Sequence, residues 1–216
     1  MFETFEKLSK EKQELIISVG IKEFSKKSYK EVSTEDITKG CGISKGILFH
    51  YFGSKKEFYF YCLNKAMERL VSKTETETET EKENTDFYEI LFLSMDKKIS
   101  LCMNFKDEMH MVNMAARDVT VEIAQRKAEI LQSYMFKVQS ESAETLKRAL
   151  RTLKFKQEKN LQKIAEGLSI YINAVLNKYL AQYQIMPDEF FKNTEKIKAE
   201  IKEYLDLILF GVCEEE

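Results

Sequence analysis

Apolar side chains recur at steps of three and four through most of this 216-residue chain, the spacing that lines one face of an α-helix. Ile16, Val19, Gly20 and Phe24 share a face of a helix predicted over residues 9–28. In the middle of the chain Phe87, Ile90, Leu91, Met95, Ile99 and Met103 keep the step. Leu161, Ile164, Leu168, Ile172, Val175, Tyr179 and Tyr183 form a longer stripe, and Ile197, Ile201, Leu205, Ile208 and Val212 form the last. Pro187 with Asp188 marks the break between the final two helices, where a proline can open the second. Two long helices joined by a short turn make an antiparallel hairpin.

Between residues 28 and 57 the pattern is finer. Ser33 precedes Thr34-Glu35-Asp36; a serine there accepts amide bonds as an N-cap, and an acid at the third helical position reaches back to the cap amide. The helix that follows is short, because Gly40-Cys41-Gly42 stops it, with Gly42 placed where a tight turn needs positive φ. Ser44 caps a third helix, Lys45 to Phe52, ended by Gly53. Ser54-Lys55-Lys56-Glu57 is a capping box opening a fourth helix that runs to about residue 73. Two short helices across a glycine-bearing turn are the helix-turn-helix arrangement, whose second helix enters a DNA major groove. Leu48 and Phe52 face inward on the third helix, leaving Lys45, Gly46, Phe49 and His50 on the opposing sides. Gly46 permits close approach, the three capped N-termini offer amides to phosphates, and Lys45, Lys55 and Lys56 add positive charge.

Composition sharpens this picture. Seven glycines and one proline are too few to punctuate an all-β chain. Residues 1–73 hold 14 Lys and Arg against 10 Asp and Glu, and the rest hold 20 against 26. A mildly basic module therefore precedes an acidic helical body, which directs nucleic-acid contact to the first part. Thr74 to Thr85, TETETETEKENT, has no apolar side chain and reads as a solvated connector or exposed helix end. No stretch approaches the apolar length of a membrane span, and the charged N-terminus lacks the apolar core of a signal peptide. Cys41, Cys62, Cys102 and Cys213 include no C-x-x-C pair, so they are expected to be reduced, mostly buried thiols in a cytoplasmic protein rather than a zinc site or a disulfide framework. No metal or cofactor motif stands out.

The stretch Tyr29-Lys-Glu-Val-Ser33-Thr-Glu-Asp-Ile37-Thr-Lys-Gly-Cys41-Gly42-Ile43-Ser44-Lys45-Gly46-Ile-Leu48-Phe49-His50-Tyr51-Phe52-Gly-Ser54-Lys55 resembles the DNA-binding signature of the tetracycline-repressor (TetR/AcrR) family. The likeness covers about residues 10–65, without a gap. It implies an all-α homodimeric transcriptional regulator, usually a repressor. By that resemblance Ser33 and Thr34 open the second helix against the DNA backbone, and Lys45, Gly46 and His50 face bases or nearby phosphates. Tyr51 reaches phosphate and Lys55 grips it from the fourth helix; Ser44, Phe49 and Lys56 complete the expected interface. Ser28 stands where glycine is common, Cys41 where alanine is usual and Phe49 where tyrosine is frequent. The last change removes a hydroxyl, leaving Phe49 to meet a thymine methyl or to pack.

The expected organisation is a helix-turn-helix domain over residues 1–53, a connecting helix over 54–73 and a helical ligand-binding and dimerisation domain over 74–216. Phe92, Met95, Met103, Phe105, His110, Met114, Tyr134 and Tyr171 are candidate pocket residues, because soft and aromatic side chains suit an adaptable apolar pocket; ordinary core is the competing reading of each. Ile172, Val175, Leu176, Tyr179, Tyr183, Leu205, Ile208 and Val212 are candidate dimer residues, since their stripes are wider than one intramolecular partner needs. The partners implied are a palindromic or near-palindromic double-stranded operator, a small apolar or amphipathic effector and a second copy of the chain, with no membrane. The alternative is a helical small-molecule carrier or enzyme without specific DNA binding; against it, no nucleophile–base pair or paired-carboxylate motif stands out.

Overall fold

A computed structural model describes residues 2–72, 86–155, 160–182, 189 and 192–211, and the described residues outside turns are helical. The helices are α1 Glu3–Glu6, α2 Lys10–Lys26, α3 Thr34–Cys41, α4 Lys45–Phe52, α5 Lys55–Ser72, α6 Phe87–Asn104, α7 Lys106–Arg117, α8 Val121–Leu150, α9 Leu161–Gln182 and α10 Thr194–Phe210. The Thr74 to Thr85 connector, Pro187, Tyr183, Val212 and Cys213 lie outside the described residues. No described helix is long and apolar enough to cross a membrane.

Two compact units divide the chain. The first combines the N-terminal helices with Leu101–Val138. Its core gathers Ile16, Ile21 and Phe24 of α2, Ile37 of α3, Leu48 and Phe52 of α4, Phe58 and Leu63 of α5, and Met111 of α7, all almost fully buried. The short α1, absent from the periodicity reading, places Phe5 among Phe52 (ring centroids 4.7 Å apart), Tyr61 (5.5 Å) and Tyr51 (5.9 Å). Burial of one such ring stabilises by roughly 1.5–3 kcal/mol. Helix α2 approaches α5 closely enough that a Cβ on Gly20 would lie 2.5 Å from both Cys62 Sγ and Phe58 Cζ.

Helix α7 packs against α2 and α5, so the division expected at residues 73 and 74 is not a boundary of packing. The cause is an apolar stripe on α7: Met111 and Ala115 are buried in the core that holds the helix-turn-helix. Glu108 of α7, also buried, accepts a 2.6 Å bond from Arg69 of α5, and Arg69 in turn pairs with Glu14 of α2. At the α7–α8 junction Asp118 Oδ2 accepts from the Tyr29 amide at 2.6 Å, while its Oδ1 accepts from the Thr120 amide at 2.8 Å.

The second unit holds residues 86–100 and the described residues from Gln139 onward. Its core is built from Phe87, Ile90, Leu91, Leu146, Leu150, Ala165, Leu168, Val175, Tyr179, Ile197, Ile201 and Leu205. Helices α9 and α10 pair through these stripes, and Tyr179 donates to Glu200 at 2.6 Å.

This pairing covers part of the expected dimer face within the chain itself. Val175, Tyr179 and Leu205 are 6%, 2% and 0% exposed within their own chain, with Ile172 and Leu176 packed against the same cluster. Only Ile208, of the described members, is exposed. Periodicity identified the apolar face correctly but could not say which partner covers it.

Candidate nucleic-acid interface

Helix α3 begins where Ser33 leaves extended backbone and its Oγ accepts from the Glu35 and Asp36 amides at 3.1 and 3.4 Å. Ile37, Cys41, Thr34 and Thr38 turn inward. The helix ends at Gly42, whose φ of +62° lies in the left-handed region; the Ile43 amide then reaches back to the Thr38 carbonyl at 3.1 Å. Lys12 of α2 closes the same end by donating to the Cys41 carbonyl at 2.9 Å, where a cation also suits the helix dipole. Ser44 caps α4 through the Ile47 amide at 3.2 Å, and Ser54 caps α5 through the Glu57 amide at 3.1 Å. Each serine predicted to cap a helix does so.

Helix α4 is anchored by Leu48 and Phe52, 0% and 1% exposed. Its other faces present Lys45, Gly46, Ile47 and His50 to solvent, with Phe49 half-buried. A Cβ on Gly46 would meet only Ser44 Oγ, at 3.8 Å, so its lack of a side chain opens the outer surface and relieves nothing inside. Of the remaining candidates, Ser33, Tyr51, Lys55 and Lys56 are half-buried, Ser44 is exposed and Thr34 is buried. The Lys55 ammonium lies over the Tyr29 ring, 4.6 Å from its centroid, and burial lowers its pKa, partly offset by Glu122. Lys55 therefore starts from an internal seat.

Two further residues stand beside the candidate interface and were not among the expected ones. Ile47 is 42% exposed beside Lys45 and His50, an apolar contact suited to a thymine methyl. The apolar run Ile47-Leu48-Phe49, wider than one helix face, is the signal that could have found it. Glu35 accepts from Lys45 Nζ at 2.9 Å, from Ser33 Oγ at 2.8 Å and from Thr34 Oγ1 at 3.3 Å. Lys45 first, and Ser33 next, hold its carboxyl down at about 2. Asp36, the acid assigned to the capping box, enters that cap through its backbone amide.

The candidate pocket residues fall into both units. Met103 and His110 are exposed and Phe105 is half-buried; Tyr134 packs against the first core. Met114 lines an open cleft of about 390 Å³ together with Ser28, Lys30, Arg117, Asp118, Val119 and Thr120. Phe92 and Met95 pack against the second core, and Tyr171 is 49% exposed.

Comparison with known proteins agrees with the local geometry. Residues 16–62 match the family described as bacterial regulatory proteins, tetR family. The uncharacterized HTH-type transcriptional regulator YuxN of Bacillus subtilis is 38% identical over 64 residues, 30% of this chain and 22% of that protein. A second B. subtilis HTH-type regulator, YerO, also uncharacterized, is 24% identical over 206 residues, 94% of this chain and 66% of the relative. The chain thus spans less than two thirds of the length of either. Among solved structures, a TetR family transcriptional regulator from Chloroflexus aurantiacus aligns with a TM-score of 0.59 at 20% identity, covering 95% of this chain and 94% of that one. PfmR, a TetR family regulator from Thermus thermophilus, aligns with a TM-score of 0.55 at 22% identity, covering 92% and 99%. These two share the fold. The capped α3–Gly42–α4 turn lies inside residues 16–62, the stretch that matches the family of bacterial regulatory proteins, tetR family.

Proposed function

We propose that the protein is a sequence-specific DNA-binding transcriptional regulator, working in the cytoplasm as a homodimer and released from a palindromic or near-palindromic operator by a small apolar or amphipathic molecule. It is a repressor in this reading, and not an enzyme. The observation that carries the proposal is α4: buried Leu48 and Phe52 fix it rigidly, while Lys45, Gly46, Ile47 and His50 share its open surface. A helix so mounted can enter a major groove, with base edges read by His50 and the Ile47 methyls and phosphates met by the capped N-termini.

Dimerisation supplies the second α4, about 34–36 Å or more away along the operator. An effector acts on that spacing only through its preference between the two conformations of the dimer. Within the first unit, α7 packs on both α2 and α5, so a change in α7 is felt directly by helices that support α3 and α4.

The test is fluorescence anisotropy on duplex DNA from upstream of the protein's own gene and from other promoters, in about 150 mM salt with excess unrelated competitor. Saturable binding that survives competition, weakened by Lys45→Ala and by His50→Ala in folded protein, is the expected result. Binding that competitor removes at each promoter tested refutes sequence-specific regulation.

A further inference from the structure

We propose that the Glu35 carboxylate occupies, in the free protein, the place of a DNA phosphate, and that it acts as a brake on sequence-independent binding. The inference deepens the DNA-binding reading and rests on it. Its basis is convergence. Ser33 at the start of α3 and Lys45 at the start of α4 are donors that the helix-turn-helix would turn toward the DNA backbone, and the buried Thr34 hydroxyl stands beside Ser33. The ammonium of Lys45 meets Glu35 Oε1 at 2.9 Å, and the hydroxyls of Ser33 and Thr34 meet Oε2 at 2.8 and 3.3 Å. One anion joins two helices across the Gly42 turn, as a bridging phosphate would. The site remains open to exchange, with the Lys45 and Glu35 side chains 52% and 68% exposed.

A phosphate reaching these donors must displace the carboxylate, and until it does the carboxylate repels it. On arbitrary DNA the phosphate alone drives the exchange, so the internal pair stays closed and one contact per protomer goes unmade. On an operator, base contacts by α4 hold the helix in place and draw Lys45 across. Glu35 therefore lowers the part of the affinity that carries no sequence information.

Glu35→Gln removes the charge while keeping an acceptor for the two hydroxyls. The experiment measures its binding, and that of wild type, to a random-sequence duplex between 50 and 200 mM salt by anisotropy, with a thermal melt confirming the fold. Each phosphate contact contributes about 0.9 to the slope of log affinity against log salt. Glu35→Gln is expected to bind more tightly at low salt and to lose about 3.5-fold more affinity per protomer than wild type over that fourfold range. Adding Lys45→Ala abolishes the gain. Asp36→Asn, which removes a charge one residue away, leaves the slope at the wild-type value and serves as the second variant.

An unchanged slope for Glu35→Gln overturns the inference, as does a gain that persists without Lys45. Loss of operator selection with an unchanged slope also overturns it, by assigning Glu35 to base reading. Because the random duplex needs no operator, a protein that binds it but selects no promoter sinks the regulatory proposal and still tests Glu35. A chain that binds no DNA even at 50 mM salt overturns both.

Discussion

Replacing Gly20 by alanine sets two effects of opposite sign against each other. In the interior of α2, alanine is favoured over glycine by about 0.8–1.0 kcal/mol through backbone entropy. The new methyl, however, would lie 2.5 Å from Cys62 Sγ and Phe58 Cζ and 2.8 Å from Phe58 Cε1, whereas carbon contacts settle near 3.5–4.0 Å. Neither neighbour has room to swing, since Cys62 and Phe58 are both 0% exposed. Relief must come from separating α2 from α5, and overpacking of this kind costs about 1–3 kcal/mol. The net expectation is destabilisation by roughly 0–2 kcal/mol, a fall in Tm of up to about 8 °C for a chain of this size. Gly46→Ala is the internal control: its methyl meets only Ser44 Oγ at 3.8 Å, so Tm holds or rises by a few degrees. Thermal melts followed by circular dichroism compare the two, with Cys62→Ala added to Gly20→Ala for partial rescue through coupling of neighbours. A Gly20→Ala protein melting above wild type, the result helix propensity alone would give, would refute the close-packing argument.

Asp118→Ala leaves the Tyr29 amide without its 2.6 Å acceptor and is expected to cost about 1–3 kcal/mol in urea unfolding at pH 7. Burial raises the Asp118 pKa, but bonds from Thr120 and Tyr29 outweigh it and hold the carboxyl below its ordinary value near 3.8. Its stabilisation is complete above that value and is lost as pH falls through the lower native one, so the gap between variant and wild type is retained near pH 4 and narrows only as pH falls further, toward about pH 2; a gap undiminished there contradicts the linkage. Tyr59→Phe removes a buried hydroxyl with no hydrogen-bond partner among the described residues; stability is unchanged or increased, and a loss above about 1 kcal/mol would reveal an unseen partner. Tyr171→Arg combined with Leu207→Arg alters side chains 49% and 46% exposed and is expected to yield folded monomers by light scattering, whereas Val175→Arg unfolds the second unit; a Tyr171/Leu207 variant that stays dimeric removes this face from the interface.

The parts of the fold legible in the sequence were those governed by local chemistry. Ser33, Ser44 and Ser54 cap helices because a serine oxygen competes for amides two or three residues away, and Gly42 ends α3 because its φ of +62° excludes most side chains. Helix α1 was not legible: four residues are too few to display a period. In α8 the stripe of Ile123, Ile130 and Tyr134 is interrupted by Lys127, which is buried yet sends its ammonium to the Asp118 carbonyl. A charged residue at a core position conceals the face, although the lysine stem packs as a hydrophobe. Met111 of α7 shows the complementary limit. A soft apolar side chain of this kind suits a pocket or a core equally, and its packing on α2 is settled by tertiary partners far along the chain. The same ambiguity applies to Val175, Tyr179 and Leu205, which are buried within their own chain.

The charge of the N-terminal module is a poorer guide to its interface than the placement of its cations. Lys12 is committed to the Cys41 carbonyl, Lys26 to Glu23, Lys45 to Glu35, Lys65 to Glu68, and Arg69 to Glu14 and Glu108, while Lys55 rests on Tyr29. Much of the basic excess is thus engaged in holding helices together or is held by a neighbouring acid. Sequence-independent affinity grows with the number of phosphates neutralised, so each cation held by a neighbouring acid adds less to binding of arbitrary DNA than its charge suggests. Beside them stands a rigid α4 whose exposed side chains, Lys45, Ile47 and His50, are chemically distinct and fall within six consecutive residues. In the DNA-binding reading, discrimination then rests on the fit of that surface to base edges, and Lys45 contributes only where the fit is good enough to draw it from Glu35.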